Sequence, residues 1–217
     1  MRVAGLIVAL TFLSPLAATA APIDDAYIAV LNRDYHKAMD LLLPLADQGS
    51  AVAQYTVGVI MDGGFGNAER RSEDAPKWFR LAADQGHPEA QTMLAKHYVE
   101  GRGVPQDFAE ARKLYMAATR QEIREANFGL AQLYSNGLGG PKDAGSAAAL
   151  SQRAAEQGHR GAQHFLANLY STGDGVGQDH AQAVRWFMRA AEQGHPDAQL
   201  AVAAAYRDGQ GIGENLV

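Results

Sequence analysis

The run Ala90-Gln91-Thr92-Met93-Leu94-Ala95-Lys96-His97-Tyr98-Val99-Glu100-Gly101-Arg102-Gly103-Val104 decides the fold, because the chain repeats it. Its Ala–Gln step recurs at Ala53-Gln54, Ala162-Gln163 and Ala198-Gln199, with Ala126-Asn127 as a variant, at intervals of 37, 36, 36 and 36 residues. After a gap a second phrase follows, Ala-x-x-Trp-Phe-x-x-Ala-Ala-x-Gln-Gly, plainest at residues 75–86 and 183–194. A period of this size marks a repeat array. Residues that recur build the stack, and residues that change between copies are free for other work.

Each copy predicts two antiparallel helices. Ala90, Leu94 and Tyr98 fall four residues apart and form one apolar stripe. Gly101-Arg102-Gly103 ends that helix, since glycine supplies the left-handed residue that closes helices. Asp107 then opens the second helix, and Glu110 three residues on suggests a capping box; Asp179 with Gln182 repeats the pattern. Ala111, Leu114, Tyr115 and Ala118 form the second stripe. Second helices close at Gln48-Gly49, Gln85-Gly86, Gln157-Gly158 and Gln193-Gly194, while Gln121-Glu122 has lost the glycine. Pro88 and Pro196 suit the first helical position, where a missing N–H costs nothing. Paired alanines let helix axes come close, Tyr98, Tyr134, Tyr170 and Tyr206 fill the wider end, and Trp78 and Trp186 read as core anchors rather than ligand platforms.

These phrases resemble the Sel-one-like repeat family of the tetratricopeptide-repeat superfamily. The residues that carry the resemblance are 90–104 and 162–176 for the first phrase, 75–86 and 183–194 for the second. It covers about Ser50 to the C-terminus, and residues 24–49 read as a more generic helical hairpin. The fold expected is all-α: a tetratricopeptide-like α-solenoid of antiparallel helix pairs, about eleven helices in a right-handed superhelix. The expected division is a signal peptide at 1–20, an N-terminal hairpin at 21–49, and an array at 50–217 with units 50–86, 87–122, 123–158, 159–194 and an incomplete 195–217. The resemblance implies an adaptor or scaffold for other proteins. The family has no shared catalytic set, so no active site carries over. Some secreted relatives clip each helix pair with cysteines, and this chain has 0 Cys.

Met1-Arg2, an apolar run from Val3 to Leu16, and small residues at Ala18 and Ala20 read as a secretory signal cleaved after Ala20. The alternative is an uncleaved anchor, for which the run is short and interrupted by Pro15. Export places the protein in a periplasm or outside the cell, without stable membrane insertion after cleavage. At the other end, residues 198–211 begin a further hairpin whose second helix is missing. Either the reading frame is truncated, or a partner or second copy covers Leu200, Val202 and Tyr206 and the chain self-associates.

The net charge of -5 becomes −6 once Arg2 leaves with the signal, which disfavours nucleic acid. A hydrophobic fraction of 47% with 20% charged residues suits an ordered array. The Gly-x-Gly steps lack a preceding strand and recur as hairpin turns, so a phosphate cradle is not expected. His87, His159 and His195 are repeat-equivalent, each directly after Gln-Gly. Stacked units place equivalents about 8–10 Å apart, too far to share one metal ion, and the polar residue of a helix start is their expected role. His97, beside Tyr98 in a helix, is expected to lack a local partner carboxylate at ligand spacing. No catalytic motif is found, so no enzyme activity, cofactor or metal is expected.

In tetratricopeptide-like arrays the first helix of each pair lines a concave groove, and the resemblance implies the same here. Positions two, six and nine residues after the first Ala vary and share one helix face. They are Tyr55, Val59 and Asp62; Thr92, Lys96 and Val99; Phe128, Gln132 and Ser135; His164, Asn168 and Ser171; Leu200, Ala204 and Arg207. Apolar groups alternating with amide and charged ones suit a protein or peptide segment. The candidate partner-binding residues are Tyr55, Lys96, Phe128, Gln132, His164 and Asn168, and ordinary solvated helix surface is the alternative. The function expected is an exported interaction scaffold of the cell envelope. The rivals are a secreted or periplasmic hydrolase of cell-wall or antibiotic substrates, and a structural homo-oligomer subunit.

Overall fold

The computed structural model describes residues 15–65 and 73–209. Eleven α-helices occupy them, with no strand among the described residues: α1 Pro15–Leu31, α2 Tyr35–Asp47, α3 Ala51–Gly63, α4 Ala75–Asp84, α5 Pro88–Glu100, α6 Phe108–Thr119, α7 Arg124–Asn136, α8 Ala144–Glu156, α9 Arg160–Thr172, α10 His180–Glu192 and α11 Pro196–Asp208. Each helix packs on its neighbours in chain order, and α5 also touches α7. This is the α-solenoid that the period predicts. Residues 1–14 and 210–217, on which the apolar leader and the approach to a further helix fall, lie outside the described residues. The expected cleavage point, Ala20-Ala21, falls within α1. None of the described helices is long and apolar enough to cross a membrane.

The recurring residues do what the spacing implies. Ala53, Ala90, Ala126, Ala162 and Ala198 are fully buried, as is Phe79, while Trp186 is buried and Trp78 packs half-buried against the N-terminal core. Helices start on side-chain caps: Ser50, His87, His159 and His195 on the first helices, Asp107, Asp143 and Asp179 on the second. The capping box is only half present. Asp107 accepts from the N–H groups of Ala109 and Glu110, but the Glu110 carboxylate turns to Arg80 at 3.0 Å, an ion pair that ties α4 to α6. Gly64, Gly101, Gly137, Gly173 and Gly209 close the first helices in the left-handed conformation.

The glutamine of the Ala–Gln step holds successive units together. Gln54, Gln91 and Gln163 are buried and donate through Nε2 to the carbonyls of Ala46, Ala83 and Ala155, each eight residues back in the preceding helix, at 3.0, 3.2 and 3.1 Å. Such bonds satisfy carbonyls that a helix C-terminus leaves open. The glutamine of the Gln-Gly step joins the same network: Gln85 and Gln193 each donate to Gln54 and Gln163 respectively, at 2.7 Å. The variant joint pays twice over. Asn127 is one methylene short, and its buried Oδ1 has no partner, as is also true of Gln91 Oε1 at a regular joint, while Glu122 adopts φ 58 where the other joints use Gly49, Gly86, Gly158 and Gly194.

Candidate partner-binding groove

Between α3, α5 and α7 lies a groove of about 460 Å³. It brings together four of the six expected residues, Tyr55 from α3, Lys96 from α5, and Phe128 and Gln132 from α7. Lys96 and Gln132 are exposed, whereas Tyr55 and Phe128 are half-buried. His164 and Asn168 do not line it. They form a separate patch on α9, with Asn168 Nδ2 3.3 Å from His164 Nε2 and the His164 ring stacked on His195 at 4.3 Å.

Two other variable-face residues turn away from solvent. Thr92 is buried and donates its hydroxyl to the Pro88 carbonyl at 2.8 Å. Asp62 faces inward, which corrects the expectation that His97 lacks a carboxylate: Asp62 Oδ1 lies 3.3 Å from His97 Nε2, supplied by the preceding unit. His97 is fully buried, and its Nδ1 donates to the Arg102 carbonyl at 2.7 Å. A carbonyl only accepts, so the proton is on Nδ1. Nε2 then accepts from Arg102 Nη2 at 3.3 Å, and Arg102 also donates to Asp62 Oδ2 at 3.2 Å. Asp62 Oδ1 accordingly receives no hydrogen bond. Burial pushes the His97 imidazole below its usual range and outweighs the carbonyl and Asp62, which act the other way.

The cap histidines back the site, and His159 lines the groove itself. His87 stacks on Tyr55 at 4.7 Å and His159 lies against Phe128 at 4.6 Å, so each groove aromatic rests on the cap of the next unit. Burial holds both imidazoles below the ordinary histidine range. Sequence reasoning placed these histidines at helix starts, where they are, but did not bring His159 into the groove. It also missed Met93, Tyr115, Ile123 and Gly129 on the apolar side, and Glu89, Glu100 and Glu125 among the charges. Gly129 has a specific cause: a Cβ there would run into the Tyr115 ring, so glycine lets that buried ring reach the groove. The signal available was spacing. Positions one residue before the first Ala, and three and ten after it, border the same helix face.

Burial raises the Tyr115 and Tyr55 hydroxyls above the usual tyrosine range, so both stay neutral hydrogen-bonding groups. Burial alone would raise the Glu125 carboxyl too, but the 2.7 Å bond from Arg124 and neighbouring positive charge prevail and hold it low. The groove therefore presents an apolar surface, three carboxyl side chains and one lysine. It can bind; among the described residues that line it, none is a nucleophile set beside a base.

Comparison with known proteins agrees with this architecture. A Sel1 repeat protein of Oxalobacter formigenes superposes with a TM-score of 0.78 at 31% identity, over 88% of this chain and 78% of that one. A protective antigen of uropathogenic Escherichia coli strains, described as displaying an SLR fold, superposes with a TM-score of 0.76 at 33% identity, over 82% of this chain and 38% of that one. HRD3A of Arabidopsis thaliana, an ERAD-associated E3 ubiquitin-protein ligase component, is 32% identical over 101 residues, which are 42% of this chain and 15% of the plant protein. The chain thus spans a minor part of the plant and Escherichia coli relatives. The Sel1 repeat pattern itself matches at residues 30–50, 51–87, 88–122, 124–159, 161–195 and 196–217, the first of these on the hairpin that had read as generic. With six matched units over nearly all of its helices, the chain belongs to the Sel1 repeat family.

Proposed function

We propose that this chain is an exported, non-enzymatic scaffold of the cell envelope that holds a protein or peptide segment in the groove between α3, α5 and α7. The composition of the groove wall carries the reading. Tyr55, Met93, Tyr115, Ile123 and Phe128 offer an apolar surface, and the exposed carboxylates Glu89, Glu100 and Glu125 outnumber Lys96. A segment with an apolar anchor beside lysine or arginine complements both. The plant relative is a component of a ligase, hence part of a protein assembly, and this supports a role in binding proteins. The hydrolase alternative gains nothing from the buried His97 with Asp62 and Arg102, which have no hydroxyl or thiol among their partners in the described residues. Export rests on the charged start, short apolar run and small residues before Ala21. The mass of the protein recovered from envelope fractions decides it, since a retained Met1 in cytosol contradicts it.

The binding test is a pull-down from envelope extract with the mature chain and with a Lys96→Glu/Phe128→Ala variant. Loss of a well-desolvated anchor costs about 2 kcal/mol, roughly thirtyfold in affinity. Lys96 is exposed and only 3.8 Å from Glu100, so Lys96→Glu alone should change stability by no more than about 0.5 kcal/mol. Full affinity of the double variant for the captured partner refutes the groove as the site.

A further inference from the structure

His164, His195 and Asp197 meet at the joint between α9 and α11, and their ligand atoms lie within 4.8 Å of one another. Comparison of equivalent histidines along the array excluded a shared ion. The structure instead pairs non-equivalent ones, the groove position of one unit with the cap of the next. We propose that these three side chains bind a divalent transition-metal ion, with Zn²⁺ as the fitting ion.

The other joints show what is special here. His87 and His159 are each backed by a ring that needs only to be flat, Tyr55 and Phe128. At the α9–α11 joint the backing ring is itself an imidazole, stacked at 16° on His195. A phenyl ring would serve the packing, and His164 adds ligand nitrogens to it. The carboxylate completes the set. At the position of Asp197 the Phe128–His159 joint has Gly161, and the Tyr55–His87 joint has Glu89 but no second imidazole. Two ligand histidines and an acid coincide at this joint alone among the described residues.

Two imidazole nitrogens and a carboxylate oxygen make a three-ligand set of the kind zinc accepts, with the fourth position open. Tetrahedral Zn²⁺ with bonds of about 2.0–2.2 Å places its ligand atoms about 3.3–3.5 Å apart, so the three groups need to close by about 1.5 Å at most, and one imidazole has to turn out of the stack so that both ring nitrogens aim their lone pairs at the ion. Asp197 is exposed and both imidazoles are half-buried, which leaves their rotamers that freedom. The bonds that ligation displaces are weak. His195 Nδ1 caps the Ala198 N–H at 3.4 Å, against 3.0 Å for the same bond at His159, and the Asn168 amide is 3.3 Å from His164. A bound ion would clip α9 to α11 in a chain that has no cysteine to do so.

The test uses purified, tag-free protein titrated calorimetrically with Zn²⁺ at neutral pH, and with Co²⁺ as an optical probe. The expected result is saturable binding of one ion per chain, a Co²⁺ visible band of low-coordinate type, and a raised melting temperature. His164→Phe copies the Phe128 platform, so its metal-free melting should match wild type while affinity falls at least about tenfold. Asp197→Asn, on an exposed side chain, should weaken binding as well and decides the matter if His164→Phe fails to fold. No saturable Zn²⁺ binding by wild type overturns the proposal, as does unchanged affinity in both variants.

Discussion

Glu122 occupies the one second-helix end among these joints where a glycine is replaced, and it should be the easiest place to stabilise the array. Its φ of 58 lies in the left-handed region, where Gly49, Gly86, Gly158 and Gly194 take 94, 87, 82 and 77. A side chain there costs roughly 1–2 kcal/mol, because Cβ crowds the following carbonyl. Glycine recovers that but adds about 0.4–1 kcal/mol of unfolded-state entropy. The expected net effect of Glu122→Gly is therefore a gain of about 0.5–1 kcal/mol. Nothing is lost in exchange: the side chain is exposed, and the one bond at this residue that crosses the joint, from Gln157 Nε2 at 3.0 Å, goes to the backbone carbonyl. In a domain of this size about 1 kcal/mol moves the melting temperature by roughly 2–4 °C, readable by calorimetry and as a higher urea midpoint. Since repeats are coupled chiefly to their neighbours, amide exchange should slow most in α6 and α7. Glu122→Ala keeps the Cβ and removes the charge, so it should not stabilise. The reasoning fails if Glu122→Gly melts at or below wild type, or if Glu122→Ala gains as much.

Asn127→Gln should also stabilise, by about 1 kcal/mol, because the longer amide reaches the carbonyl eight residues back, that of Thr119, as Gln54, Gln91 and Gln163 do at their joints. An unchanged urea midpoint would contradict this. With chelator present, stability should fall on acidification. His87, His97, His159 and His164 all have imidazoles held below the usual value by burial, so the unfolded chain binds more protons. Their contribution is full above the ordinary histidine value of about 6.5 and is lost as pH drops through the depressed folded values. A melting temperature flat from neutral pH into that window would refute the neutral, buried histidines.

The fold was legible because packing imposes the same demand on every copy. A fully buried Ala at the start of each first helix admits no larger side chain, so it repeats visibly. What the Ala–Gln step does was not legible, since the amide bonds a carbonyl on another helix, a contact that no local pattern expresses. The groove was half legible. Helical geometry alone puts Tyr55, Lys96, Phe128 and Gln132 on first-helix faces, and α3, α5 and α7 stack so that those faces join. Tyr115 and His159 enter it from neighbouring elements, and that depends on how one unit is rotated on the next. The same rotation brings His164 to His195, 31 residues on, whereas a search at the repeat period compares residues that never meet.

Several departures from the repeat fall close together at one joint. Glu122 replaces the joint glycine, Ile123 stands at the cap position without a capping hydrogen bond, Asn127 replaces the bonded glutamine, and Gly129 removes a side chain. Ile123 and Gly129 line the groove, and the other two lie within the same turn of chain. Three breaches of the repeat, with Gly129 beside them at a position that varies in every copy, concentrate instability within eight residues, and a stack selected only for stability would have removed them. The His164 substitution follows the same logic one unit further on, since a phenyl ring would satisfy the cap. In an array whose consensus is spent on stacking, the copy that violates the consensus is the one whose residues answer to something outside the stack. Restoring the consensus at this joint thus separates the two demands. Glu122→Gly and Asn127→Gln touch no groove side chain and should raise stability while leaving partner capture intact. Replacing Gly129 by alanine drives a Cβ into the Tyr115 ring and should alter capture even where the array still folds.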